Sequence, residues 1–175
     1  STSFLGSLNI GSGAVGTGVG TVSSTGVEIR ANTFNIGNVF GAASLAHGVL
    51  DIAGAGAQGI LANVGSVVSA TGAASATGKM TVAGALPLSG AFLQAGQIFG
   101  SARGSSADGQ LSIGGDAGFV GGALIVGNVT SNTDAQVGSQ STGRLDILNG
   151  GGLALNGGSN AYVGTVFGSG KVLDG

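Results

Sequence analysis

Two stretches of this 175-residue chain, GSGAVG at 11–16 and GAGAQG at 54–59, carry the glycine spacing of a dinucleotide-binding turn. Such a turn works because a helix N-terminus behind the glycines holds the pyrophosphate. Gly59 instead leads into ILANVGSVV, β-branched and interrupted by Gly65, which reads as strand. Among 39 glycines the spelling arises by chance, so no nucleotide cofactor is expected. GSGKVL at 168–173 fails as a phosphate loop, because Thr165 stands where the first glycine belongs and Val172 replaces the metal-binding hydroxyl.

The acidic residues are as sparse. DGQLSIGGDAG places Asp108 and Asp116 eight residues apart, the closest approach to a calcium β-roll. Hard cations need six to eight oxygen ligands, and no Gly-Gly-x-Gly-x-Asp recurs to supply them. His47 is the only histidine and cysteine is absent, which leaves nothing for a transition-metal site or a thiol nucleophile. His47 precedes Gly48 and is expected at a solvated turn. Asp51 and Asp146 face outward but three repeats apart, roughly 14 Å at the rung spacing of a stacked sheet, too far for paired-carboxylate glycoside chemistry. Asp51 with Lys79, and Glu28 and Arg30 with nearby turns, are candidate surface ion pairs worth at most ~1 kcal/mol each. Of the phenylalanines at 4, 34, 40, 92, 99, 119 and 167, Phe34 and Phe99 fall on inward positions, so core packing is expected of them. Tyr162 points outward if Val163 points in, making it an isolated contact residue. The sequon at Asn128 is given no weight. No catalytic, cofactor-binding or metal-binding residue is therefore assigned, and the chain is not expected to be an enzyme.

A repeat positions these residues. The chain is 42% hydrophobic, only 7% charged against roughly 25% in ordinary soluble domains, and has a net charge of −2. It is too apolar for a linker, has no Gly-X-Y period, and has no apolar run near the ~18 residues of a membrane span. Without clustered Lys and Arg, no nucleic-acid partner is expected. The opening STSFLGSLNIGSG lacks a basic n-region, so the chain reads as mature or excised from something longer.

One phrase recurs as GSLNIG (6–11), NTFNIG (32–37), GVLDIAG (48–54), GKMTVAG (78–84), GQLSIGG (109–115) and GRLDILNG (143–150). Its first apolar residue is Leu8, Phe34, Leu50, Met80, Leu111 and Leu145, at spacings of 26, 16, 30, 31 and 34. Period-two alternation turns these inward together with Ile10, Ile36, Ile52, Val82, Ile113 and Ile147. Asn9, Asn35, Asp51, Thr81, Ser112 and Asp146 then point out. A second phrase runs VGTV (19–22), VGSV (64–67), FGSA (99–102), VGNV (126–129) and VGTV (163–166), and a third GILANVG, GALPLSG, GGALIVG and GGLALNG. Glycine every few residues excludes a helix. A single repeat cannot bury its apolar face, so the repeats must stack.

The expected fold is therefore all-β, a parallel β-helix (β-solenoid) of about five to six rungs with two or three short strands each, as one domain over 1–175. By the sheet spacing this is a rod on the order of 25 to 30 Å long. SATGAASATG (69–78) and TSNTDAQVGSQSTG (130–143) are expected to loop out as contact surfaces. No cap is evident at SFLGSLNIG or GKVLDG, which points to an excised segment or to end-to-end stacking.

GRLDILNGGGLALNGGSNAYVGTVFGSGKVLDG resembles the β-strand repeat of bacterial autotransporter passenger regions, with its Gly-x-Leu-x-Ile opening, Gly-Gly turns and Gly-Ser-Gly step. The resemblance implies a right-handed parallel β-helix, exported and displayed at the cell surface or secreted. The function expected is that of a structural or adhesive segment, contacting itself, a host, a surface or a glycan. A self-assembling extracellular filament is the alternative, and a phage tail spike or polysaccharide-active β-helix a weaker one.

Overall fold

The structure is a computed structural model and describes residues 5–90, 92–99, 104–120, 122–130, 139–167 and 171–174. The alternating phrases form strands, and no helix occurs among the described residues. All ladders are parallel and join into one sheet that winds around itself, a β-solenoid.

Three ladders run along the winding axis. The first stacks β1 (Leu5–Ile10), β3 (Ile29–Ile36), β5 (Ala57–Val64), β9 (Phe92–Phe99), β12 (Ala123–Thr130) and β15 (Asn160–Phe167). The second stacks β2 (Gly13–Thr25), β4 (Val39–Ala53), β7 (Ser75–Val82), β10 (Ser106–Ile113), β13 (Gln140–Ile147) and β16 (Lys171–Asp174). Each is six strands deep, in keeping with the rungs expected. A short third ladder of β8 (Leu86–Leu88), β11 (Ala117–Val120) and β14 (Leu153–Asn156) closes the section, and β6 (Val67–Val68) bridges β4 to β9.

The column Leu50–Met80–Leu111–Leu145 lines up residue for residue, preceded by Val22. Leu8 and Phe34, however, belong to the first ladder, where they continue through Ala62, Leu93 and Leu124. The spacing of 16 from Phe34 to Leu50 is half a winding, not a short repeat. The second phrase also divides: VGTV at 19–22 lies on the second ladder, whereas the counterpart of VGSV and VGNV in β9 is AGQI at 95–98. FGSA at 99–102 extends outside the described residues. Of the third phrase, GALPLSG and GGLALNG form the third ladder with Ala117–Val120, while GILANVG and GGALIVG are strands of the first.

The interior is not one column but two. A large lobe holds Phe34, Ile36, Leu50, Ile52, Met80, Leu111, Ile113 and their neighbours. A small one is built from Val39, Val67, Ile98 and Val129 against Ala46, Ala76 and Ala107. Between them the first and second ladders meet backbone to backbone at glycine pairs, among them Gly65 with Gly78 and Gly96 with Gly109. A Cβ built on Gly109 would overlap the Gly96 amide nitrogen and the Val64 carbonyl and stand 2.7 Å from the Ala95 carbonyl carbon. Gly65 and Gly96 have φ of 61° and 64°, the left-handed region that a side chain resists. That bend shifts the alternation, so Val64 and Val67 both face inward although three residues apart, one into each lobe.

The segment at 69–78 makes only a short exposed bend at 71–73 and otherwise does not project. Ala70, Ala74 and Ala76 are buried in the small lobe, Thr71 N donates to Gly41 O (2.8 Å), and Ser75 already begins β7. Its small residues are there because the lobe has no room for larger ones. In the other segment, Gln140–Thr142 belong to β13, and 131–138 lie outside the described residues.

Replacing Gly109 with Ala is expected to cost about 3 kcal/mol or more, the upper range for overpacking. Gly72→Ala, whose Cβ meets nothing within 4 Å, is expected to stay within about 0.5 kcal/mol of the parent. Urea denaturation of the two variants compares them, and equal stabilities would refute the waist.

Candidate ligand groove

Where the glycines draw the two ladders together, the outer surface of the first ladder bends inward. The residues lining this dent are those beside the left-handed glycines. One column reads Asn9, Asn35, Asn63, Gln94, Ile125 and Tyr162. Beyond the glycines, Asn38, Ser66, Gln97 and Asn128 immediately precede the paired Val39, Val67, Ile98 and Val129.

In the early windings amides fill the dent. Asn63 Nδ2 donates to Asn35 Oδ1 (2.9 Å), and Asn35 Nδ2 to Asn9 Oδ1 (2.8 Å). Fully buried Asn38 donates from Nδ2 to Asn63 O (3.0 Å) and accepts at Oδ1 from Ser66 N (2.9 Å). Its own amide donates to Ser12 Oγ (3.1 Å). These side chains satisfy buried polar groups and tie successive windings together along the axis.

In the later windings the column turns from amide to apolar and aromatic, and the dent opens into a groove of about 420 Å3. Gln97 and Asn128 lie at its base, 5% and 2% exposed, with Asn128 Oδ1 accepting from Thr130 Oγ1 (2.7 Å). Phe99, in register with Val68 and Thr130, forms one wall, and Phe92 the other. These two residues are 46% and 42% exposed. Tyr162 and Ile125 complete the lining.

Phe34 is buried as expected, but Phe99 is not a core residue. Alignment on FGSA places it with inward Val64; its true partner is outward Val68. Nor is Tyr162 isolated, since it shares the groove with both phenylalanines. Gln94, Gln97 and Phe92 carry no motif that singles them out in the sequence. Aligning the left-handed glycines places Gln94 and Gln97, two before and one after Gly96, with Asn63 and Ser66 around Gly65 and with Ile125 and Asn128 around Gly127, and puts Phe99 with Val68 and Thr130. Phe4 lies outside the described residues.

The ionisable residues do not converge on this groove. His47 is exposed in the middle of β4, not at a turn, since its strand runs on to Ala53. Asp51 and Asp146 occupy one outward column, separated by Thr81 and Ser112. The ion pairs among the described residues form within a strand or next to it, Arg144 with Asp146 (2.8 Å) and Arg30 with Glu28 (3.1 Å). Lys79 pairs in register with Val49 and not with Asp51. Asp116 Oδ1 accepts the Gly152 amide (2.7 Å), a clamp between windings. Asp108, in register between Thr77 and Thr142, has one carboxylate oxygen buried without a partner among the described residues. Burial pushes its carboxyl above the ordinary carboxylate range, partly offset by a hydrogen bond from Gln110. No group of three or more His, Asp or Glu residues suited to a metal occurs among the described residues. GAGAQG leads directly into β5, with no helix behind it to receive a phosphate.

Comparison with protein-family models, curated proteins and solved structures finds no match to this chain. The groove's chemistry is therefore the functional lead: two exposed aromatic walls, a tyrosine, and carboxamides held at the base.

Because the folded state disfavours ionised Asp108, wild-type stability is expected to fall as pH rises from the ordinary carboxylate value of about 3.9 through the raised one. Asp108→Asn should match the parent's melting temperature near pH 3 and exceed it at pH 7. Thermal melts across that range check this, and a variant less stable at pH 7 would contradict it.

Proposed function

We propose that this chain is a structural and adhesive segment of a secreted or surface-displayed bacterial β-solenoid, acting by contact and not by catalysis. The observation that carries the reading is the flank groove, where aromatic rings stand exposed on a rigid, fully paired ladder. Exposed aromatic clusters with a few fixed polar groups are a usual composition of contact sites. The stacked parallel ladders support it by holding that surface without a mobile loop. The repeat's resemblance to autotransporter passenger regions supports the location.

Polystyrene beads coated with the chain are expected to adhere to bacterial or host cell layers well above albumin-coated beads. Phe92→Ala/Phe99→Ala should reduce the adherent number about tenfold while leaving the melting temperature nearly unchanged, the scale of losing two aromatic contact residues. Adhesion no better than albumin would reject the reading.

End-to-end filament formation is favoured by a separate observation. Val15, Val19 and Val27 stand exposed around β2, and Leu148, Leu153 and Val163 at the other end of the stack. Among the described residues β2 pairs only with β4 and β15 only with β12, leaving strand edges of the kind that template further pairing. Sedimentation is expected to show fibres that lengthen with concentration, and Val19→Lys should dissolve them. Monodisperse monomers at high concentration would rule the filament out.

A further inference from the structure

We infer that the groove between Phe92 and Phe99 binds a single strand of neutral polysaccharide lying along the solenoid axis. This rests on the adhesive reading and names what it adheres to. Four features select that ligand.

The first is charge. Among the described residues no Asp, Glu, Lys, Arg or His lines the groove, and Tyr162 is its sole titratable group. An anionic polymer or a basic peptide would lose its hydration there with no counter-charge to replace it.

The second is the pairing of ring faces with amides. A sugar ring presents a C–H face to an aromatic ring and hydroxyls at its rim. Phe92 and Phe99 offer the former partner, and the carboxamides of Gln94 and Gln97 the latter. A carboxamide both donates and accepts, which suits hydroxyls that do the same. Gln97 is buried to 5% exposure at the base of the groove it lines.

The third is repetition. Gln97 and Asn128 occupy one column on adjacent windings, as do Phe99 and Thr130. Adjacent rungs are about 4.8 Å apart, close to the length of one sugar ring, so successive sugars meet equivalent positions in turn. The groove volume falls within the roughly 300–1,000 Å3 range of ligand sites.

The fourth is the backbone. β9 is paired on both sides, by β5 and β12, so no strand edge is open there to a peptide. Adding a strand, the commonest way for a sheet to capture an extended peptide, is closed off in this groove.

The chain supplies its own reporter, because Tyr162 is its only tyrosine and there is no tryptophan. Fluorescence excited at the tyrosine band thus reads the groove alone. The intact chain is titrated with linear neutral polysaccharides (a β-glucan, a mannan, a galactan, a xylan), with polygalacturonate, and with an uncharged blocked Leu-Ser-Asn-Leu peptide. At least one neutral polysaccharide is expected to give a saturable Tyr162 response and shield it from acrylamide, little changed by 0.5 M NaCl. Polygalacturonate should give none. Phe99→Ala should weaken binding tenfold or more, and Phe99→Tyr should retain it. Both phenylalanines are exposed, so a thermal melt confirms folding. No response to any neutral polysaccharide, or a response only to polygalacturonate or the peptide, overturns the inference. If coated beads still adhere in that case, the adhesive reading stands and only the ligand is wrong. If beads fail to adhere, the adhesive reading itself fails.

Discussion

Backbone contact at the glycine waist is the constraint on which the rest of the molecule depends. At Gly48, Gly78, Gly109 and Gly143 the second ladder comes so close to the first that a Cβ would overlap an opposing carbonyl or amide. The facing glycines hold left-handed backbone, from Gly11 (φ 58°) to Gly127 (φ 59°). Two conditions, absent side chain and positive φ, thus meet on opposite sides of one contact. The waist divides the interior, and the lobes then take different side chains for a geometric reason. The wide lobe has Leu, Ile, Met and Phe at its centre; the narrow one is filled mainly by Ala and Val, with Ile98 and the buried Ser141, whose hydroxyl bonds the Gly96 carbonyl.

The same bend explains why polar side chains are buried on the outside of a sheet. A left-handed residue interrupts the alternation, so the position after it, occupied by Asn38, Ser66, Gln97 and Asn128, drops into the dent. Four such residues at 5% exposure or less would be destabilising without partners. Asn38 answers this with bonds to the windings on either side, and Ser12 Oγ adds one to Asn35 O (2.9 Å). The polar seam therefore contributes alignment between windings where the hydrophobic effect, being non-directional, cannot.

Much of this is legible in the residues. Alternation at Leu50/Ile52, Met80/Val82 and Leu111/Ile113 requires strands, and their near-constant spacing requires stacking. The phase is harder to read. Phe34 and Leu50 carry the same local phrase because both are inward residues with another inward residue two positions on, a pattern every strand shares. Nothing local tells one face of a solenoid from another; the spacing of 16 is the sole clue. Phe99 misleads for a related reason. Apolar-Gly-small-apolar describes the waist in AGQI less well than it describes FGSA, although it is Gly96 of AGQI that is left-handed and faces Gly109 on the neighbouring ladder. His47 and the 69–78 segment show the opposite error, small and polar residues that read as turns when the narrow lobe and an exposed strand face are their cause.

The dent is continuous along the axis, yet its occupants change. Its outer column runs amide, amide, amide, amide, then Ile125 and Tyr162. If the dent served stacking alone, the asparagine ladder that ties Asn9 to Asn63 would be the economical solution in every winding, since each added amide bonds the one below it. The bonded asparagines run from Asn9 to Asn63, and at β9 the walls gain two phenylalanines with nearly half their surface in water. That exchange exposes apolar area, which opposes stability. It is confined to one stretch of the seam. A local departure from the rule a fold obeys elsewhere is where function is to be sought, and here the departure coincides with the stretch where the dent stands open.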